Sequence, residues 1–233
     1  VSVLELLHAN VCADRYDYGH TWPKRRPAFV AKVKELDPHL VTLTECQEPA
    51  ALQLAKLLGY YKSVSFWGSS ILYDPDVVTL NRTLLSERWL AGTQTHSLLM
   101  VEFAHNVAGY PTFNLGVSHF PPFATRAALR KRQLDTITTK TRTFRDPTFV
   151  AMDANWSKTL ESYSATHGGW ISARLKATTR QHADYRTSGG KWGKGDPIDY
   201  VIGRGGAKFV YYDVLDGRKW SDHNALNVEI GGW

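Results

Sequence analysis

The sequence predicts an α/β architecture, mixed β-sheet with helices packed outside it, on three observations. Short runs rich in β-branched and aromatic residues recur along the whole chain. Amphipathic helical patterns separate some of these runs but not others, so the order is neither the regular alternation of an all-parallel sheet nor an all-β arrangement. No internal repeat and no Pro/Ser/Gly-rich linker divides the chain, and residues 1–233 are expected to form a single domain.

The first strand is expected at Val3 to Leu7. A helix follows, opened by Pro27 in its first turn, with Phe29, Val33 and Leu36 on one face and Asp37-Pro38 ending it. Leu40 to Thr44 is the second strand, and Pro49 to Leu58 a second helix capped by Gly59. The middle is mostly β: Ser69 to Tyr73, Leu98 to Phe103 and Thr112 to Ser118. A third helix is expected from about Thr125 to Thr141, and then strands at Thr148 to Met152, Ile198 to Ile202, Phe209 to Leu215 and Ala225 to Ile230. Two long loops remain, Cys12 to Arg26 and Trp156 to Pro197. The second runs to about forty residues, a length that marks a functional or partly helical segment.

Composition narrows the function. With 43% hydrophobic and 21% charged residues the chain can bury a sizeable core, which excludes disorder and disulfide-held miniproteins. The net charge of +6 favours polyanionic partners. Two cysteines, Cys12 and Cys46, leave one bridge or two thiols equally open. No apolar run has the roughly 18 to 20 residues of a membrane span, so the chain reads as soluble, with cytoplasmic and secreted locations both open. It starts in strand-like alternation, without an initiator Met or an apolar signal run, so an upstream segment is expected to have been removed or to lie outside this sequence.

The candidate chemistry lies where apolar strands end. Asn10, Glu45, His119 and the pair Asp153 and Asn155 each follow such a run; Asp199 lies within Pro-Ile-Asp-Tyr-Val-Ile, and Ser221-Asp222-His223 precedes the last strand. Each one alone has an ordinary explanation as a cap, an Asx-turn or a surface histidine. Six such sites in this order are poorly explained by turn chemistry. Carboxylate and amide oxygens are hard donors suited to Mg²⁺ or Mn²⁺, and no thiolate or multi-histidine cluster calls for structural zinc.

Taken together, His8-Ala-Asn10, Arg26 leading into Asp37-Pro-His-Leu-Val-Thr-Leu-Thr-Glu45, Ser118-His119, Arg132-Gln133, Met152-Asp-Ala-Asn155, Ile198-Asp-Tyr-Val201 and Ser221-Asp-His223 resemble the endonuclease/exonuclease/phosphatase superfamily, including its deoxyribonuclease I-like branch. The resemblance implies a four-layered α/β sandwich, two packed mixed β-sheets flanked by helices, and divalent-metal phosphoester hydrolysis at the edge where strand-end loops meet. It makes Glu45, Asn10 and Asp222 the metal-site residues. Asp153 would activate water and share a second metal with Asn155, and Asp199 would orient His223 against the scissile phosphate. Arg26 would be the structural arginine that leads the helix. His119 would sit near the leaving oxygen, but the stretch Ser65 to Pro75 has no carboxylate where that branch supports this histidine. A phosphate contact, or an acid from elsewhere such as Glu48 or Glu87, is the alternative. The resemblance also brings Cys12 and Cys46 close enough for a disulfide beneath the site.

Two basic segments bear on the substrate. Arg126 to Arg145 holds seven basic residues against Asp135 alone, and Ile171 to Lys194 six against Asp184 alone. The second also carries Trp170, Tyr185, Arg186, Lys191, Trp192 and Lys194 among glycines. This is a candidate nucleic-acid contact through phosphate neutralisation and base stacking, with a simple hairpin as the plainer reading. Gly189-Gly190 lacks the spacing and the Ser/Thr of a nucleotide-hydrolase phosphate loop. The expectation is a monomeric Mg²⁺- or Mn²⁺-dependent phosphodiesterase of nucleic acid, DNA favoured. The alternatives are a phosphatase of a small phosphoester such as an inositol phosphate or sphingolipid, and a non-catalytic nucleic-acid-binding domain.

Overall fold

The computed structural model describes residues 3–12, 21–59, 61–91, 94–122, 126–188 and 193–231. Two mixed sheets lie face to face. The first holds seven strands: β1 (Val3–Asn10), β2 (Leu40–Thr44), β3 (Lys62–Phe66), β4 (Ser69–Tyr73), β10 (Thr179–Arg180), β12 (Phe209–Leu215) and β13 (Ala225–Gly231), in the order β10-β12-β13-β1-β2-β4-β3. The second holds six: β5 (Val78–Ala91), β6 (Gln94–His105), β7 (Phe113–His119), β8 (Thr148–Asp153), β9 (Ile171–Ser172) and β11 (Asp199–Arg204), in the order β5-β6-β7-β8-β11-β9. The pairs β1/β2, β7/β8 and β10/β12 are parallel and the other pairs antiparallel.

Side-chain alternation builds the layers. Along β1, Leu4 and Leu6 face the other sheet while Leu7, Ala9 and Val11 face the helices. The same alternation sends Phe149 and Ala151 of β8 inward and Val150 and Met152 outward. Helices α1 (Trp22–Leu36) and α2 (Glu48–Leu58) cover the first sheet with Phe29, Val33, Leu54 and Leu58. Helices α3 (Ala127–Lys140) and α4 (Thr159–Gly168) cover the second with Leu134, Ile137 and Leu160. The result is four layers: helices, sheet, sheet, helices.

Several expectations change. Helix α1 starts at Trp22, not Pro27: Pro23 takes the first turn, and Pro27 sits one turn further in, where its ring removes a single early hydrogen bond. Strands β3 and β5 appear where none was expected, in polar stretches with weak alternation. The long segment before Pro197 holds α4, β9, the short helix α5 (Ala173–Lys176) and β10. β5, an outer strand of its sheet, carries two register shifts against β6, between Leu80 and Arg82 and between Thr83 and Leu85. Among the described residues no helix is long and apolar enough to cross a membrane.

The structural arginine of α1 is Arg25 rather than Arg26. Arg25 is buried and donates to the carbonyls of Val11 (3.0 Å), Cys12 (2.8 Å) and Trp220, tying the helix to the ends of β1 and of the segment before β13. Arg26 instead donates to Gln53 on α2, at the surface. One residue's shift around the helix separates an inward from an outward arginine. Arg25→Leu leaves three carbonyls without their donor and should cost about 3 kcal/mol, as a lower urea midpoint with an unchanged slope. A cost below about 0.5 kcal/mol would show that water replaces the guanidinium there.

Candidate active site

The inward-facing rows of both sheets end in polar residues at the same pole. Asn10 ends the row of Leu4 and Leu6 on β1, and Asp153 the row of Phe149 and Ala151 on β8. The strand ladders bring them into register. His119 and Asp199 flank Asp153 from β7 and β11, and Asn10 pairs with Thr44, one residue before Glu45. Glu45 and Asn155 leave their strands with positive φ, 52° and 47°, turns that most non-glycine residues avoid.

One amide group joins the two sheets. Asn10 Nδ2 donates to Glu45 Oε1 at 3.1 Å and to Asp153 Oδ2 at 2.9 Å, while Asn10 Oδ1 accepts from the backbone N–H of Cys12 at 3.0 Å. His119 Nε2 lies 3.5 Å from Asp153 Oδ2 and 3.8 Å from Glu45 Oε1. Its ring meets that of His96 edge-on, with centroids 5.1 Å apart. Asp153 Oδ1 accepts from the Asn155 backbone N–H (3.0 Å), and the Asn155 side-chain amide donates to the Phe120 carbonyl (2.9 Å).

A buried histidine–aspartate pair forms the other wall. His223 Nδ1 and Asp199 Oδ2 are 2.9 Å apart, and His223 Nε2 points toward Asp153 Oδ2 at 3.8 Å. Burial alone would push the His223 imidazole down. The charges of Asp199 and Asp153, with the hydrogen bond to Asp199, outweigh it and hold the ring well above the usual histidine range. Burial pushes the Asp199 carboxyl up, with Asp153 adding to that and His223 opposing it. The two shifts together favour the imidazolium form of His223 beside Asp199.

Backbone contacts fix this pair. Thr187 Oγ1 accepts from the N–H groups of Ile198 and Asp199, both at 2.9 Å, and the Thr187 carbonyl accepts from Asn224 N–H. Asn224 Nδ2 donates to the Arg186 carbonyl at 2.8 Å. Gly217 lies so close beneath that a Cβ there would fall 1.8 Å from the His223 carbonyl oxygen.

Two triads place donor atoms within 4.8 Å of one another: Glu45, His119 and Asp153, and Asp153, Asp199 and His223. The donors fit a hard divalent cation at the first triad; in the second, Asp199 Oδ2 and His223 Nδ1 are already paired with each other. Asp222 belongs to neither; its carboxylate accepts from Ser221 Oγ at 3.3 Å, and its charge raises the His223 pKa.

Other expected contacts lie elsewhere. Lys191 and Trp192 fall outside the described residues. Tyr185 pairs with Lys194 in a hairpin stem and packs its ring against the inter-sheet core, and Arg186 donates to the Lys194 carbonyl at 2.9 Å. Lys194 itself is exposed. Trp170 is buried and donates to Thr138, so it cannot stack on a base. His119 is approached by Asp153 and Glu45, not by Glu48, which lines a separate groove, or Glu87, which pairs with Lys140. Cys12 and Cys46 are buried thiols, not a disulfide. Beyond Glu45 the chain turns toward β4, with Cys46 N–H donating to the Gly68 carbonyl, on the side of β2 away from β1.

His8, Thr187, Asn224 and His96 carry no role in the sequence reading. His8 had a readable signal: a polar residue at an inward position of an apolar strand. It is fully buried, with Nδ1 3.1 Å from Thr42 Oγ1 and Nε2 4.0 Å from Asp199 Oδ1.

The sequence profile described as the Endonuclease/Exonuclease/phosphatase family matches residues 7–223. Solved structures similar to the chain include a mannosyl-6-phosphatase from Bacteroides thetaiotaomicron, with TM-score 0.85 and 17% identity over 98% of this chain and 100% of that one. An endonuclease/exonuclease/phosphatase from Bacteroides vulgatus has TM-score 0.85 and 15% identity, with 99% of each chain covered. D. rerio TDP2 complexed with a single-strand DNA product has TM-score 0.76 and 17% identity, with 100% of each covered. No curated protein sequence matches the chain.

Burial pushes the His8 imidazole down to about 4, so it is neutral when folded, whereas in the unfolded chain it takes a proton below about pH 6.5. Between those values the unfolded chain binds the extra proton and stability rises with pH. The non-titrating His8→Gln protein should therefore lose about 2 kcal/mol less than the wild type between pH 7 and pH 5, read by urea unfolding in EDTA. Equal losses in both proteins would place the acid sensitivity in other groups.

Proposed function

The chain belongs to the endonuclease/exonuclease/phosphatase family, and from that premise we propose that it is a monomeric Mg²⁺- or Mn²⁺-dependent phosphodiesterase of nucleic acid, with DNA the favoured substrate. The observation that carries the reading is the meeting of Glu45, Asp153 and His119 with the Asp199–His223 pair around one amide, that of Asn10. Such a site combines a place for a cation, a base for water and a fixed cation for a phosphate oxygen.

Glu45 and Asp153 would hold a divalent ion, which would supply charge neutralisation and polarisation of the phosphoryl oxygen. Asn10 holds the two carboxylates in register. Asp153, oriented by the Asn155 N–H, accepts a proton from the attacking water as its oxygen bonds to phosphorus. His223, kept cationic by Asp199, donates to a non-bridging phosphate oxygen as negative charge builds there. The ester P–O bond breaks, and His119 is placed to protonate the departing oxygen. Asn155 and Asp222 act around this core, as a second-metal and a water-orienting group.

Charge supports nucleic acid as the substrate: the chain carries +6, and Lys194 is exposed on a hairpin whose other arm is bonded to Asp199 and Asn224 through Thr187. The basic run around α3 contributes less than its count suggests. Arg130 is buried, Lys140 pairs with Glu87 and Lys131 lies over the Tyr163 ring. The alternative, hydrolysis of a small phosphoester, draws its specific support from the mannosyl-6-phosphatase likeness.

Supercoiled plasmid with Mg²⁺ or Mn²⁺ should be nicked, with EDTA, Glu45→Ala and His223→Ala each lowering the rate by at least about a hundredfold. Nicking that survives His223→Ala would refute the assignment of that residue, and hydrolysis of sugar phosphates without any nicking would favour the small-substrate reading. Lys194→Ala should flatten the slope of log K against log salt for DNA by about one. An unchanged slope would mean that Lys194 does not contact phosphate.

A further inference from the structure

The inward row of β1 turns polar before the strand ends. His8 follows Leu4 and Leu6 on the same side of the strand and precedes Asn10 there, and it is fully buried between the sheets. A polar ring in that position is costly unless its nitrogens are satisfied. The row crosses to the second sheet at two points: Asn10 reaches Asp153 on β8, and His8 reaches toward Asp199 on β11.

At the second crossing two polar atoms are left over. His8 Nε2 and Asp199 Oδ1 are both shut off from solvent, neither has a hydrogen-bond partner in the protein, and they lie 4.0 Å apart. That is too long for a direct hydrogen bond and a length that one water spans. The other ring nitrogen fixes the direction. Nδ1 lies 3.1 Å from Thr42 Oγ1, whose other acceptor, the Leu7 carbonyl, is farther away at 3.5 Å. The Thr42 hydroxyl therefore donates to Nδ1, and the ring's own proton stays on Nε2, toward the carboxylate. The second oxygen of that carboxylate, Oδ2, is the one paired with His223 Nδ1 at 2.9 Å. A carboxylate held through one oxygen can still turn about its Cβ–Cγ bond; held through both, it cannot.

We propose that His8 is a positioning residue for the Asp199–His223 pair: its Nε2–H, through one buried water, holds Asp199 Oδ1 so that Oδ2 stays aimed at His223. The inference rests on the phosphoester-hydrolase reading above, in which His223 meets the phosphate. His8 touches neither substrate nor metal and acts through Asp199. It also explains why a histidine occupies a row that is otherwise leucine at this depth.

The test separates the two ends of the ring. In His8→Gln the side-chain amide reaches the place of Nε2, whereas in His8→Asn it reaches only the place of Nδ1, beside Thr42. With Mg²⁺ and a labelled duplex oligonucleotide, His8→Asn should lower kcat about tenfold at unchanged KM, the effect of losing one hydrogen bond to a charged group, and His8→Gln should come within about threefold of the wild type. In metal-free protein the His223 Nδ1 proton resonance should move downfield in His8→Asn and return in His8→Gln, because a carboxylate that loses one donor accepts more strongly from the other. A histidine that only fills space would change the melting temperature and leave both kcat and that resonance in place. Unchanged kcat in His8→Asn, an unmoved resonance, or a His8→Gln protein as slow as His8→Asn would each overturn the proposal. If the wild type cuts no oligonucleotide, the nuclease reading fails by itself, and the resonance alone decides the role of His8.

Discussion

The Asn10 side-chain amide is the interaction on which the arrangement of the site depends. Its single NH₂ group donates to a carboxylate from each sheet, Glu45 and Asp153, which would otherwise repel each other in a partly dry cleft. An aspartate there would add a third negative charge, and an apolar residue would supply no donor. The amide's own orientation is set from behind by Cys12 N–H on its oxygen, so the position of the chain just beyond β1 is transmitted to both carboxylates. Arg25, holding the Val11 and Cys12 carbonyls, fixes that same stretch of chain. Helix packing on the outside of the first sheet is thus coupled to the geometry of the cleft between the sheets.

The polar pole follows from period two. An inward row of Leu4, Leu6 and Phe149, Ala151 can stay apolar only while the opposite sheet covers it, and where the sheets end, the next inward positions meet solvent. His8 lies one step too early for that. It remains buried, and its neutrality is the consequence.

This is also why the candidate site is legible in the sequence and much of its support is not. Asn10, Glu45, His119, Asp153, Asp199 and His223 each stand at the end or start of a strand whose apolar pattern is plain, so the sequence points to the residues that the fold gathers at one pole. The strands β3 and β5 lack that pattern because their sides are only partly covered, and they passed as loop. Trp170 and Tyr185 looked like exposed aromatics in a basic, glycine-rich segment. The core contacts that bury the first and pack the second come from elements distant in sequence, including Thr138 on α3 and Arg204 on β11. Local composition carries no record of such partners. The choice between Arg25 and Arg26 turns on one step around a helix whose start, at Trp22, was itself misplaced.

The two register shifts in β5 reach beyond the ladder they interrupt. β5 is an outer strand of its sheet and the longest in the protein as described, so its free side offers a row of backbone donors and acceptors to any other chain. Each shift adds a residue on one side and twists the strand locally, so the row is never straight for long. Arg82, Glu87 and Arg88 add charge along the same strand. The fold therefore keeps a long open edge without presenting a flat template on which further copies would stack, by an irregularity far from its candidate site.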